Sequence, residues 1–508
     1  MVRLASSVAT VGGATLVSRV LGFIRDLTIA RLFGADAATD AFFVAFKIPN
    51  LARRLFAEGA FAMALVPTLQ TQRQRGKAAL ASFIADLTGT LGLGVSLITL
   101  LGILGAPALI LAFAPGFGAA PDQFALSVSL LRLTLPYLAL ISLAALAASI
   151  LNTQERFAVP AITPALLNLA MIACALWLAP CVETPIMALA WGVLLGGLLQ
   201  LAVQLPPLAQ LGLMPRPRFA PGATEVIQVF RRMGPSILGS SVGQISLLLD
   251  TVLASLLATG SISWLYYADR LMELPLGLVG AALGTVVLPR LTRHHNECAH
   301  QLFADTLDWA LRLGLVLGLP AAIGLAVLAG PLVATLFHSS SFGAEDARMA
   351  AWGLIAYAFG IPPFILIRVL VSAYYARQEV RTPAQIALIV LGLGLILHLI
   401  LMAWIGHVGL ALATTLTALL DAALLLHHLL RAGIYRPSAA FKRLMLQTLA
   451  AGLCMGLALG WGVGSLEDWL AEPGISRWLG LTGWILAGLL LYGGILALSG
   501  VRPRALWF

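Results

Sequence analysis

The chain has 508 residues, 60% of them hydrophobic and only 10% charged, with a net charge of +9 at pH 7 and a mean hydropathy of +0.95. Soluble domains carry roughly 25% charged residues. The composition therefore excludes a water-soluble globular protein and predicts an all-α polytopic membrane protein.

The N-terminus has one basic residue, Arg3, and no short apolar core followed by a small-residue cleavage site, so the first helix is expected to be retained. Apolar segments long enough to cross a bilayer recur along the chain, about fourteen of them, at roughly 20 residues per span. Their approximate limits are 8–33, 40–69, 82–113, 125–151, 158–180, 185–208, 235–258, 264–289, 307–336, 347–376, 383–405, 408–430, 441–463 and 478–500.

The first two spans carry Arg19, Arg25, Asp26, Arg31, Asp40, Lys47, Arg53, Arg54 and Glu58. A charge at the centre of a membrane helix costs about 2.5–3.5 kcal/mol on insertion scales. It is tolerated where it faces a wet cavity or a partner inside the bundle. In span two, Lys47, Arg54 and Glu58 fall within about 40° of Asp40 on a helical wheel, and Asn50 about 80° away. Arg53 points elsewhere on a straight helix, but Pro49 can kink the helix and change that bearing. Ser18, Arg25, Asp26 and Arg19 form a second polar sector on span one. Asp269, Arg270 and Glu273 open span eight, and Arg368 is a lone cation in span ten.

Internal ion pairs would account for some of these charges: Arg25 with Asp40 or Asp26, Arg54 with Glu58, and Arg270 with Glu273. They do not account for the set, because the cations outnumber the acids. Arg31 near the outer interface can snorkel, and positive charge is still left over. A guanidinium matches phosphate with a bidentate fork and Lys supplies a point charge, so the pattern points to an anionic substrate.

Lys and Arg alternate between loops. One set of loops holds Arg73, Arg75, Lys77, Arg156, Arg216, Arg218, Arg290, Arg293, Arg377 and Arg436, among others. The opposite set holds only Arg348 and Arg477 among several acids. The positive-inside rule then places both termini in the cytoplasm. This explains the basic loops by topology, and no nucleic-acid partner is implied.

The segment Ser149–Pro160, SILNTQERFAVP, resembles Ser372–Pro383, SAYYARQEVRTP, about 224 residues on. Asp26 with Phe42-Phe43 is matched by Asp250 with Tyr266-Tyr267 at the same spacing. Spans one to six and seven to twelve thus read as two pseudo-symmetric six-helix lobes in the same orientation, related by an axis along the membrane normal. The corresponding ranges are 1–210 and 211–433, with two extra helices in 434–508. Two such lobes facing a central site are a transporter architecture.

Other chemistry is weak. Cys174, Cys181, Cys298 and Cys454 lack framework spacing. His294, His295, Glu297, Cys298 and His300 fit no metal motif and read as a solvated loop. No GxxxxGK[ST] or HExxH motif occurs.

Three segments carry a family likeness: SRVLGFIRD (Ser18–Asp26), ATDAFFVAFKIPNLARRLFAEGAF (Ala38–Phe61) and YYADRLMELPLG (Tyr266–Gly277). With them the chain resembles, over nearly its whole length, the MurJ (MviN) family of lipid II flippases. That family lies in the multidrug/oligosaccharidyl-lipid/polysaccharide exporter superfamily. The resemblance implies a transporter, not an enzyme, of the bacterial inner membrane acting in peptidoglycan and cell-wall biosynthesis. The implied substrate is undecaprenyl-diphosphate bearing a disaccharide-pentapeptide, with cell-wall synthesis proteins as further partners. It also implies that Arg19, Arg25, Arg53 and Arg270 line the cavity and hold the head group. Asp26, Asp40, Lys47, Asn50, Glu58, Asp269 and Glu273 fall at matching polar positions. The family favours Arg53 where the wheel favours Arg54. Spans thirteen and fourteen would form a groove for the polyprenyl tail. Some relatives bind sodium in the second lobe. Here Asp250 and Thr414 would supply oxygen ligands, while His398 stands where an amide or carboxylate would serve better. Sodium and the membrane potential are both left open as driving forces, and no other cofactor is implied.

The nearest rival, a multidrug–cation antiporter, would want an acidic cavity. A flippase for another lipid-diphosphate-linked polysaccharide fits the cationic site but not the quoted motifs. A membrane enzyme acting on lipid diphosphate would need a placed nucleophile, base or metal site, and the sequence offers none.

Overall fold

The computed structural model describes the backbone of residues 2–57 and 60–501, and the side chains among them except 2–10, 52, 54–57, 60, 62–63, 234–247 and 281–282. The described residues form helices and no strand. Among the described residues, ten stretches are long and apolar enough to cross a membrane. The reason is local: long runs of Leu, Ala, Ile and Val with few charges satisfy their backbone groups internally only as helix.

The chain divides into two compact units, 1–260 and 261–508. The first contains α1 (Val2–Phe33), α2 (Ala37–Ala57), α3 (Ala60–Gln74), α4 (Lys77–Leu104), α5 (Ala106–Phe113), α6 (Pro121–Thr134), α7 (Pro136–Thr153), α8 (Ala158–Ala173), α9 (Met187–Ala202), α10 (Leu205–Gln210) and α11 (Thr224–Ala254). The second contains α12 (Ser261–Asn296), α13 (His300–Val327), α14 (Ala329–Leu336), α15 (Ala344–Ala358), α16 (Ile361–Ala376), α17 (Arg381–Arg431), α18 (Ala439–Gly462), α19 (Leu466–Ala471) and α20 (Gly474–Leu498). Several sequence-defined spans are two helices in tandem, broken at Gly105, Leu135, Leu328 and the Phe359–Gly360 pair. In α17 the helix bends at Ile405 and Gly406, the latter at φ 59°, so one continuous run makes two arms.

In the first unit, α3, α4, α7 and α11 share a core built on Leu65, Leu69, Phe83, Leu87, Ile150 and Val229. Elsewhere small residues set the spacing. A Cβ on Gly192 would lie 2.8 Å from Met171 Cα and one on Gly196 2.9 Å from Leu167 Cα, so α9 lies directly against α8. The connection from α10 to α11 crosses α4. Arg218 N–H donates to Ala85 O at 2.9 Å, and its guanidinium pairs with Asp86. Glu225, in the first turn of α11, accepts from Arg75 at 3.2 Å.

α11 therefore packs within the first unit, and the division of the chain by packing falls between Gly260 and Ser261, whereas the repeat in the sequence divides it at 210/211. Packing and sequence kinship are different partitions of a chain and need not coincide.

The two similar segments end their helices with one turn type. Glu155 and Gln378 both take left-handed backbone, φ 60° and 58°. Arg156 N–H reaches Leu151 O at 2.9 Å and Glu379 N–H reaches Tyr374 O at 3.0 Å, closing equivalent wide turns. A second such pair follows at Gly212 and Gly433, φ 65° and 69°. The turn matches Glu155 with Gln378, in register with Ser149/Ser372 and Pro160/Pro383. The Gln-Glu letter match is one residue out, because the turn and not the side chain fixes the register.

In the second unit, α13, α18, α19 and α20 share a core of Val316, Met455, Leu459, Trp469, Leu481 and Tyr492. Asp308 fastens the segment that enters α18. It accepts from Tyr435 Oη at 2.7 Å and Ser438 Oγ at 2.9 Å and pairs with Arg312 at 3.0 Å. Burial, with Asp308 beside it, pushes the Tyr435 phenol well above its ordinary pKa. Leu457, Trp461, Leu490 and Leu498 point outward and are mostly exposed, as lipid-facing residues are.

Candidate functional site: a buried charge cluster on α1 and α2

Arg25 and Asp26 are 9% and 2% exposed on α1. The sequence offered Asp40 or Asp26 as partner for Arg25, and the structure pairs it with Asp26. Arg25 Nη2 and Nε donate to the same Asp26 Oδ1 at 2.6 and 2.9 Å. Nη1 donates to Asn168 Oδ1 on α8 at 3.0 Å. Asn168, itself 7% exposed, donates from Nδ2 to Ser18 O at 3.1 Å. The bond ties α8 back to α1 one turn and more before Arg25. A buried ion pair nets little stability as a pair. Removing one partner strands a charge and costs about 3–5 kcal/mol.

α2 presents the second set. Asp40 is 2% exposed and accepts the Gly260 N–H at 2.7 Å through Oδ2. Lys47 Nζ hydrogen-bonds Thr251 Oγ1 on α11. Arg53 Nε donates to Asn50 Oδ1 at 2.9 Å, so these two share a face one turn apart. Pro49 stands inside the helix between Lys47 and Arg53. The Arg54 side chain and Glu58 lie outside the described residues. Arg19 and Arg31 are exposed on α1.

The second unit holds the remaining residues. Arg270 Nη1 pairs with Glu273 Oε2 at 2.6 Å, the partner expected from the sequence, and its guanidinium lies 4.8 Å from the Tyr266 ring centroid, a cation–π distance. Asp269 is half-buried beside it. Arg368 lies across Gly280, where a Cβ would sit 2.5 Å from Nη1. Thr414 Oγ1 donates to Leu410 O at 3.0 Å and stands 3.2 Å from His398 Nε2. His398 Nδ1 lies 2.6 Å from Gly394 O. Asp250, the other residue considered for sodium, is on α11 in the first unit.

Sequence reasoning missed Asn168 and Asp308. The available signal was a lone polar side chain inside an apolar span, which in lipid must find a hydrogen-bond partner.

Ten stretches among the described residues long and apolar enough to cross a membrane, with a buried ion pair on one of the helices, define a multi-pass helical membrane protein. Its fold is similar to that of the structure titled "Inward-facing conformation of a multidrug resistance MATE family transporter of the MOP superfamily". The TM-score is 0.66 at 14% identity, over 88% of this chain and 96% of that one. The structure titled "Lipid II flippase MurJ, inward closed conformation" aligns with TM-score 0.81 and 25% identity, over 96% of this chain and 98% of that one. The family model described as Lipid II flippase MurJ matches residues 29–472. A probable lipid II flippase MurJ of Vibrio cholerae is 43% identical, over 99% of this chain and 98% of its own. The lipid II flippase MurJ of Burkholderia cenocepacia is 39% identical, over 97% of each. The chain belongs to the MurJ family of lipid II flippases.

Proposed function

We propose that the protein carries lipid II, undecaprenyl-diphosphate bearing a disaccharide-pentapeptide, from the cytoplasmic to the outer leaflet of the bacterial inner membrane. The observation that carries this reading is the buried Arg25 cluster on α1. A guanidinium held oriented inside a membrane helix bundle has the charge and the fork to receive a diphosphate. The polyprenyl tail can stay in lipid, whereas the charged head cannot cross hydrocarbon unaided.

In this reading about fourteen spans form two six-helix lobes plus two C-terminal helices, with both termini cytoplasmic. Equivalent turns at Glu155 and Gln378, and at Gly212 and Gly433, support the repeat. The residues that meet the head group are Arg19, Arg25, Arg53, Arg270 and Arg368, with Lys47 and Asn50. Asp26, Asp40, Glu58, Asp269 and Glu273 hold the cations in place between substrates. Alternating access moves the head across, and an inside-negative potential draws the empty cationic site back toward the cytoplasm. A multidrug–cation antiporter shares the fold but would need net acidic charge where this chain has an excess of arginine.

The test is depletion of the protein in its own host, with measurement of lipid-linked peptidoglycan precursor on each leaflet. Accumulation on the cytoplasmic leaflet is expected. An unchanged distribution would overturn the reading.

A further inference from the structure

Arg25 is useful to an anion only if its fork is aimed, and the aiming comes from a residue on another helix. We propose that Asn168 is a positioning residue for head-group binding, holding the Arg25 guanidinium in the plane in which it meets the diphosphate. The proposal rests on the reading of Arg25 given above.

The amide of Asn168 works on both sides at once. Its oxygen accepts from Arg25 Nη1 at 3.0 Å, and its nitrogen donates to Ser18 O at 3.1 Å. Gly22 lies beneath it: a Cβ there would be 3.4 Å from Nδ2, ordinary contact distance, so the amide seats directly on α1. A bond to Asp26 alone fixes one edge of the fork, through Nε and Nη2 on a single oxygen. The second anchor at Nη1 holds the other side of the rigid planar group against swinging about the side-chain torsions that carry it. Only a planar group with an acceptor and a donor does this. Leucine fills similar space with neither. Aspartate keeps the acceptor, sets its second oxygen against the Ser18 carbonyl, and adds a negative charge that competes with phosphate for Arg25.

The alternative is that Asn168 merely packs α1 on α8. The two roles separate in their dependence on the fork. Lys at position 25 has no planar fork to orient, so a positioning residue loses its effect there, while a packing residue does not.

The experiment uses full-length protein in nanodiscs, with lipid II as the probe and thermal stability measured alongside. Asn168→Leu is expected to weaken lipid II binding about tenfold, the worth of one charge-assisted hydrogen bond. Asn168→Asp should weaken it at least as much despite keeping the acceptor. In an Arg25→Lys background, Asn168→Leu should add less than a twofold loss. If it costs the same factor in both backgrounds, or if Asn168→Leu binds as the unmodified protein does while Arg25→Ala does not, the positioning role is wrong and the reading of Arg25 stands. If Arg25→Ala itself binds lipid II normally, it is that reading which fails. A variant that does not fold is replaced by Asn168→Gln in the same pair of backgrounds. It retains both groups on a longer stem and should bind between the unmodified protein and Asn168→Asp; binding weaker than Asn168→Asp in folded protein would overturn the role.

Discussion

The main-chain N–H of Gly260 donates to the carboxylate of Asp40 at 2.7 Å. Asp40 opens α2 and is 2% exposed, while Gly260 holds left-handed backbone at φ 94°. A carboxylate placed this way closes the first unit on itself. Asp40→Asn keeps one carbonyl oxygen in reach of the N–H and should preserve most stability. Asp40→Ala strands a buried donor and should cost about 1–3 kcal/mol. Thermal unfolding of both variants in detergent checks the order. Equal loss would mean that the charge matters more than the bond.

For the cations, Arg25→Ala and Arg270→Ala are each expected to abolish complementation of a flippase-depleted strain while the protein still inserts. Each removes charge-assisted contacts worth about 1.5–3 kcal/mol. Lys should rescue poorly at both positions. Glu273→Gln is expected to be milder, because it neutralises the partner of Arg270 and keeps the guanidinium. Arg31→Ala should also be mild, since Arg31 is exposed at the end of α1. Growth at normal expression with Arg25→Ala or Arg270→Ala would contradict the head-group assignment.

The topology is open to cysteine labelling, and the structure decides where to put the probes. Gly116 is unsuitable, because a Cβ there would fall 1.8 Å from Ser255 O. Ser438 is unsuitable because it caps α18 and bonds Asp308. Exposed Ala119, Ser341 and Ala471 should react with an impermeant thiol reagent from outside, and Gly222 and Ala440 should not. Cys181, Cys298 and Cys454 are exposed and must first be replaced. External labelling at position 222 would reverse the orientation.

The C-terminal helices are fastened at several levels. Asp308 holds Tyr435 and Ser438, Tyr492 Oη donates to Val316 O at 2.7 Å, and Arg477 Nη1 donates to Ala334 O at 3.0 Å. Ending the chain near Arg436 would therefore strip the face of α13 and confuse lipid-tail binding with unfolding. Tyr435→Phe is the cleaner probe. It should lower stability by about 1 kcal/mol, and Asp308→Ala by more, since Arg312 then loses its partner. Both are read as midpoints of thermal unfolding. An unchanged midpoint in Asp308→Ala would show that the anchor is idle.

On sodium, the Thr414 hydroxyl already meets Leu410 O and stands beside His398 Nε2. Replacing sodium by potassium is accordingly expected to leave the thermal midpoint and the rate of lipid II transport in proteoliposomes unchanged. A sodium-specific rise in either would show that the ion takes part in transport.

Much of the candidate site is visible along the chain because lipid makes charge conspicuous. Arg25, Asp26, Lys47 and Arg270 stand out of apolar runs, and three contiguous motifs carry the family likeness. The wheel of α2 separated Asp40 and Lys47 from the apolar face, but it could not choose a bearing for Arg53 past Pro49. The structure gives Arg53 the Asn50 side chain as its partner. Which acid meets Arg25 was equally undecided, since Asp26 and Asp40 have the same chemistry.

By itself the sequence determined that this is a helical membrane transporter with cations in its first two spans, and where its turns recur. Composition, hydropathy and short motifs are local properties and need no coordinates. Tertiary structure alone decided that Arg25 turns back onto its own neighbour and onto Asn168, more than a hundred residues on. It alone decided that α11 packs with the first unit and that Asp308 holds the start of α18. These depend on which helices touch. In lipid that choice is set by close packing and by the need of each buried polar group for a partner, and both are properties of pairs of distant segments rather than of either segment alone.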